Sequence, residues 1–230
     1  MTIKTLIIIL LAFFNYDSFS QPDPIGQFNK HVAENWKADF IRIGPYRVKG
    51  SPYLLGESFS GSITYKGGRT VNDSKILYDI YNQKAGVDVK NEILEMDIPI
   101  EIFSLTLPEK FGGKTLMFKS TYLFGKPDLK GFLNVVEDGK KLSLLKIYKT
   151  RLFPDPTNIM IKDLKIFEQY FDYYIYNKIS QNLSSIKLRK KDISKEIKDE
   201  AFLKNYLANN NNDLSNEANV VQLIKAFNGQ

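Results

Sequence analysis

The chain has 230 residues, of which 43% are apolar, and carries 32 Lys and Arg against 26 Asp and Glu, for a net charge of +6. It contains no cysteine and a single histidine, His31. This excludes a disulfide framework, a cysteine-ligated zinc and a lipid anchor built on an N-terminal cysteine; the interspersed charges suit ordinary solubility, and no nucleic-acid partner is expected of a chain that is exported, as its first residues indicate.

Residues 1–20 have the three parts of a cleavable export signal: Lys4, an unbroken apolar run over 6–14, and Ser18-Phe19-Ser20, which puts small residues at the cleavage site before Gln21. The apolar run is shorter than the ~20 residues that span a bilayer, and no later stretch is long or apolar enough to do so. The expectation is an exported protein, periplasmic or extracellular, with no transmembrane span in the mature chain and no lipoprotein anchor. The first twenty residues hold one Lys and one Asp, so the mature charge stays at +6.

Residues 21–57 form an N-terminal lead. Pro22, Pro24 and Gly26 predict a flexible start, and Val32 and Trp36, four apart, predict one short helix over 30–40. From 58 the period becomes two. Phe59, Gly61, Ile63 and Tyr65 alternate with Ser and Thr, which is the pattern of a half-buried strand. Lys66-Gly67-Gly68 supplies a turn. Further strands are predicted over 76–81, 87–98 with breaks, 100–105, 116–119, 132–136 and 142–148, with a hairpin signal at Glu137-Asp138-Gly139. Phe153-Pro154-Asp155-Pro156 predicts a loop. The tyrosine-rich stretch over 166–176, apolar on both faces, predicts a central strand, and 186–188 a short last one. Residues 191–230 change to helical spacing: Asp192 as the cap of a turn through Ile193 and Ile197, a stripe of Phe202, Leu203, Tyr206 and Leu207, and Ser215 as the cap of a helix with Val220, Leu223, Ile224 and Phe227 on one face. The fold class is therefore mainly β (α+β): over 58–190 an antiparallel meander, open or partly closed into a barrel or roll, with two short C-terminal helices docked on it.

The segments Gly50-Ser51-Pro52-Tyr53-Leu54, Leu77-Tyr78-Asp79-Ile80-Tyr81-Asn82, Leu144-Leu145-Lys146-Ile147-Tyr148-Lys149 and Val221-Gln222-Leu223-Ile224-Lys225-Ala226-Phe227-Asn228, taken with the signal, resemble a group of small exported proteins of Bacteroidetes whose function is uncharacterised. The resemblance implies a compartment and transfers no activity.

Catalytic chemistry finds little to stand on. His31 has no G-x-S-x-G elbow to serve, no calcium loop exists, and Gly67-Gly68 and Gly112-Gly113 lack the Lys-Ser/Thr of a phosphate loop. Glu95, Asp97 and Glu101 offer the one carboxylate option, as the wet side of a strand or as a hydrolase pair. No cofactor and no metal site is expected. Two features suit binding. Tyr170, Phe171, Tyr173, Tyr174 and Tyr176, with Phe167, either pack a central strand or line an apolar cavity with phenol hydroxyls. Lys187, Arg189, Lys190 and Lys191 either solvate a strand end or meet an anionic surface. The expected function is non-enzymatic, binding or structural in the envelope, with a hydrophobic small molecule or an envelope component as partner. The alternative is a carrier or sensor for a lipid-like ligand.

Overall fold

An Asp-Pro pair starts the first helix, α1 (Pro24–Glu34). The Asp23 carboxylate accepts the Ile25 N–H at 3.1 Å and its carbonyl accepts that of Gln27 at 3.0 Å. Proline has no N–H to lose in a first turn, so the predicted flexible lead is helical from Pro24 onward. His31 lies in this helix. The computed structural model describes residues 23–34, 41–43, 45–90, 92–94, 98–155, 163–210 and 213–229. The export signal, Trp36, Glu95, Asp97 and Pro156 lie outside the described residues.

The strands follow as β1 (Ile41–Ile43), β2 (Tyr46–Lys49), β3 (Phe59–Tyr65), β4 (Thr70–Asp79), β5 (Lys84–Val89), β6 (Glu92–Leu94), β7 (Ile100–Thr106), β8 (Thr115–Ser120), β9 (Phe132–Asp138), β10 (Leu142–Pro154), β11 (Leu164–Asn177) and β12 (Asn182–Ile186). Eleven of them run in the order β1-β2-β11-β10-β9-β8-β7-β3-β4-β5-β6, and β12 pairs with β11 beside that path. Two meanders, β3 to β6 and β7 to β11, meet where β3 lies antiparallel to β7. Gly61 permits this seam, because a Cβ there would stand 1.8 Å from the Ser104 carbonyl oxygen. The sheet is not closed into a barrel; β1 and β6 end the order.

The second edge of β11 departs from the expected antiparallel pattern. At its start β2 runs parallel to it, with Arg47, Val48 and Lys49 opposite Leu164, Lys165 and Ile166. At its end β12 pairs antiparallel over Tyr173 to Asn177. Between them the Asn29 side chain of α1 takes the place of a strand: its amide donates to the Gln169 carbonyl at 2.7 Å and accepts the Gln169 N–H at 3.1 Å. The sheet is therefore mixed, a long-range pairing that no local pattern announces. The buried Gln169 side chain then holds the next loop, donating to the Tyr53 carbonyl at 2.7 Å and accepting the Leu55 N–H at 3.2 Å. Leu55 sits at φ 53°, a conformation leucine rarely takes without such support.

Alternation assigns the core. Ile63, Tyr65, Ile76, Tyr78, Phe103, Phe118, Phe132 and Tyr148 pack together on one face of the sheet. Phe103 and Phe118, opposite each other across β7 and β8, stack at 4.6 Å, and Tyr78 meets both edge-on at 5.3 Å. On the same face, further along β10 and β11, Leu142, Leu144 and Ile175 pack under the C-terminal helices.

Those helices number three among the described residues, one more than the fold class anticipated: α2 (Lys190–Ile197), α3 (Glu200–Asn209) and α4 (Glu217–Asn228). The turn read at Ile193 and Ile197 is a full helix, because both side chains have the sheet to pack on. Its carboxylate Asp192 does not cap it; it lies in the first turn and takes the Lys187 N–H at 3.2 Å. Asn216, not Ser215, caps α4 through the Ala218 N–H, while Ser215 bonds Asp213. At the far end of α4, Asn228 accepts the Lys141 and Leu142 N–H groups at 2.8 and 2.9 Å and donates to the Leu142 carbonyl at 3.0 Å. That bolts α4 to the β9–β10 hairpin. Gly139 leaves the room for it, since a Cβ there would lie 1.8 Å from the Asn228 amide.

Candidate functional site

The pleat of β11 sorts the aromatic residues onto two faces. Phe171 and Tyr173 point to the face that carries Tyr148 and Ile175. Tyr174 and Tyr176 point to the opposite one, against Leu133, Leu145, Ile147 and Leu183. Tyr170 is exposed, under the Arg151 guanidinium at 5.7 Å. Phe167 is fully buried beside Tyr81. The five candidate residues therefore do not line one cavity.

Phe171 and Tyr173 do form the floor of a groove of about 400 Å³, open along one side, between β11, β12 and the start of α4. Ile186 and Leu188 make its apolar wall; Lys187 stands on its lip, and Ser215 and Glu217 close it on the helix side. Lys187, Arg189, Lys190 and Lys191 are all exposed. Arg189 is tied to Asp192 at 2.8 Å; Lys187, Lys190 and Lys191 have no ion-pair partner among the described residues. The groove is thus where the aromatic strand meets Lys187, the first residue of the basic stretch. The region beneath the helices is filled: Ile175, Ile186, Ile193, Ile197, Leu203, Val220, Leu223 and Ile224 are each at most 6% exposed.

A buried charge cluster underlies the groove. Lys146 on β10 shares the inward face with Leu142, Leu144 and Tyr148, and lies opposite Tyr173. Its ammonium pairs with Glu217 and rests 4.3 Å from the Phe171 ring, 5.1 Å from that of Tyr173 and 5.6 Å from that of Tyr148. The Tyr173 hydroxyl donates to the same carboxylate at 2.6 Å. Burial lowers the pKa of Lys146, with Glu217 opposing. Burial alone would raise that of Glu217, but Lys146 and the Tyr173 hydroxyl hold it below the ordinary carboxylate value. Burial and then the Glu217 charge push the Tyr173 phenol up. Sequence reasoning missed this cluster, although a lysine at the third of four inward positions, 142, 144, 146 and 148, is a signal that alternation exposes.

Of the three candidate carboxylates, Glu101 alone lies among the described residues. Glu101 accepts the Tyr122 hydroxyl at 2.6 Å. Among the described residues no three His, Asp or Glu side chains are grouped to hold a metal ion, and no helix is long and apolar enough to cross a membrane. What the fold and groove define is a mostly antiparallel open sheet with an amphipathic surface groove at its helix-covered end. Comparison of the chain with protein-family models, with curated proteins and with solved structures gave no match.

Proposed function

We propose that this chain is an exported, non-catalytic protein that binds an anionic amphiphile of the envelope, a phospholipid with a negative headgroup, at the groove between β12 and α4. The observation that carries the reading is the juxtaposition in that groove of an apolar floor and wall (Phe171, Tyr173, Ile186 and Leu188) with Lys187 on its lip, followed along the chain by the exposed Lys190 and Lys191. Lys190 and Lys191 occupy the first turn of α2, where a cation opposes the helix dipole. They do not serve the helix that carries them, which suits a role toward an outside anion. Because the space under the helices is packed, the ligand would lie along the surface with its headgroup at the lysines, not inside a closed barrel. Export rests on residues 1–20 alone.

Two measurements test this. Intact mass of the protein recovered from its own envelope fraction is expected to begin at Gln21; a mass retaining Met1 defeats export. Co-sedimentation with vesicles is expected to be strong when phosphatidylglycerol is mixed into phosphatidylcholine, absent with phosphatidylcholine alone, and to weaken as salt rises. At about 1 kcal/mol per lysine near an anionic surface, Lys187→Ala, Lys190→Ala and Lys191→Ala together should lower the affinity by roughly a hundredfold. Equal binding to neutral vesicles, or a triple variant that binds as wild type, removes the reading.

A further inference from the structure

The opposite face of the sheet holds a second concavity, built from different residues and independent of the groove. The turn Thr121–Phe124, after β8, lies over this face. Its Phe124 ring meets Tyr176 edge-on at 5.0 Å, and Leu133, Leu145, Ile147 and Leu183 pack beneath. Beside this satellite core a pocket of about 270 Å³ remains, walled by Ile102, Leu123, Val135, Leu145 and the Tyr176 ring.

Its mouth is charged. Lys119 of β8 and Lys178, just past β11, converge on one carboxylate, Asp138 at the end of β9, at 3.3 and 2.6 Å. The Ser143 hydroxyl donates to Asp138 as well, at 2.6 Å. Burial would raise the Asp138 pKa, but Lys178, Ser143 and Lys119 hold it down to about 2, so it is an anion at any ordinary pH. Two ammonium groups against one carboxylate leave one positive charge in surplus. Each ammonium has three donors and spends one on Asp138, so both have donors left for a second carboxylate set between them. Glu101 of the neighbouring β7 bonds the Tyr122 hydroxyl, and the ion pairs of both lysines go to Asp138. Apolar surface continues outward from the lysines: Leu123 is 41% exposed, and Ile179, adjacent to Lys178, is 79% exposed.

The geometry points to a binding site for a small monocarboxylate with a short apolar chain, its carboxylate bridging Lys119 and Lys178 and its chain lying against Ile102, Leu123, Val135 and Tyr176. A single surplus charge matches a carboxylate better than a phosphate dianion. The volume lies just under the ~300–1,000 Å³ of pockets that take drug-sized ligands, which limits the chain to a short one. The lysines are part-exposed, so water competes for them and the affinity is modest.

The test uses the full mature chain and octanoate below its micelle concentration, with 1-octanol and acetate as probes lacking the charge and the chain. In amide and methyl NMR spectra, octanoate is expected to move the resonances of Leu123, Val135 and Lys178 saturably and to leave those of Leu188 and Ser215 in place. Octanol and acetate should each bind at least tenfold more weakly. Lys119→Met with Lys178→Met, which leaves the Asp138 charge facing the pocket, should weaken octanoate at least tenfold; Val135→Trp, filling the pocket, should remove it. Octanol binding as well as octanoate, shifts confined to the groove on the other face, or no saturable shift in the wild-type chain overturns the proposal whatever the variants do.

Discussion

Replacing Asp155 with alanine is expected to remove about 3–5 kcal/mol of stability, the cost of breaking a buried ion pair from one side. Asp155 and Lys49 meet at 2.8 Å with side chains only 1% and 2% exposed. Their place in the chain explains why the pair matters. Lys49 ends β2 and Asp155 follows β10, and the Asp155 N–H bonds the Leu164 carbonyl at 3.2 Å. The pair therefore closes the corner where β2 lies parallel to β11, a contact no hairpin enforces. For a chain of this size the loss corresponds to a fall in melting temperature of roughly 6–20 °C, measurable by calorimetry or circular dichroism. Lys49→Met with Asp155→Leu, which removes both charges, should recover most of it, since apolar replacement of a buried pair is often neutral. The neighbouring Arg47–Asp163 pair supplies the control. It also joins β2 to the start of β11, at 3.0 Å, but its side chains are 37% and 44% exposed, and Asp163→Ala should cost far less than Asp155→Ala. An Asp155→Ala variant as stable as Asp163→Ala would mean that burial of the pair carries none of the corner's stability.

What local pattern encodes was legible, and what distant pairing encodes was not. Serine-spaced alternation places β3 correctly, and alternating inward residues place the first half of β10. The whole of β10 runs to Pro154, because its end pairs with Lys165 and needs no apolar stripe of its own. β1 and β2 are three and four residues long and pair with each other; a hairpin so short owes its existence to the edge that β2 meets on β11, more than a hundred residues later. Pro24 weighed as a breaker when its partner Asp23 makes it a helix start. At the candidate site, alternation alone separates Phe171 and Tyr173 from Tyr170, Tyr174 and Tyr176, so the division of the aromatic stretch between two faces was available from spacing. Glu217 was not. An acid in the first turn of a helix is favoured by the dipole in any protein, and nothing in its neighbours marks it as the counter-ion of Lys146, 71 residues earlier.

Glu217→Ala should cost about 2–3 kcal/mol, less than a fully buried pair because the Glu217 side chain is 30% exposed, whereas Lys146→Met should cost clearly less. The asymmetry follows from what each change leaves behind. Without Glu217, the Lys146 ammonium stays in place at 11% exposure, against the Phe171, Tyr173 and Tyr148 rings, with Asp23 and Lys114 acting on it in opposite senses and no other ion pair among the described residues. Without Lys146, the Glu217 carboxylate keeps the Tyr173 hydroxyl, the favourable end of the α4 dipole and access to the open groove. The pH dependence separates this account from a plain packing defect. The folded-state pKa of Glu217 lies below its ordinary value, so its contribution is fully present above about pH 5 and is lost as pH falls through that lowered pKa. Lys146 is shifted down by burial, and Glu217 is what restrains the shift. In Glu217→Ala the lysine releases its proton at a lower pH, and the variant regains stability as pH rises toward the ordinary lysine value, because the unfolded chain then binds more protons than the folded one. The stability gap between wild type and Glu217→Ala is thus expected to be widest around neutrality and to narrow on both sides. A gap that is flat with pH, or a Lys146→Met variant less stable than Glu217→Ala, would show that the cluster acts through shape alone.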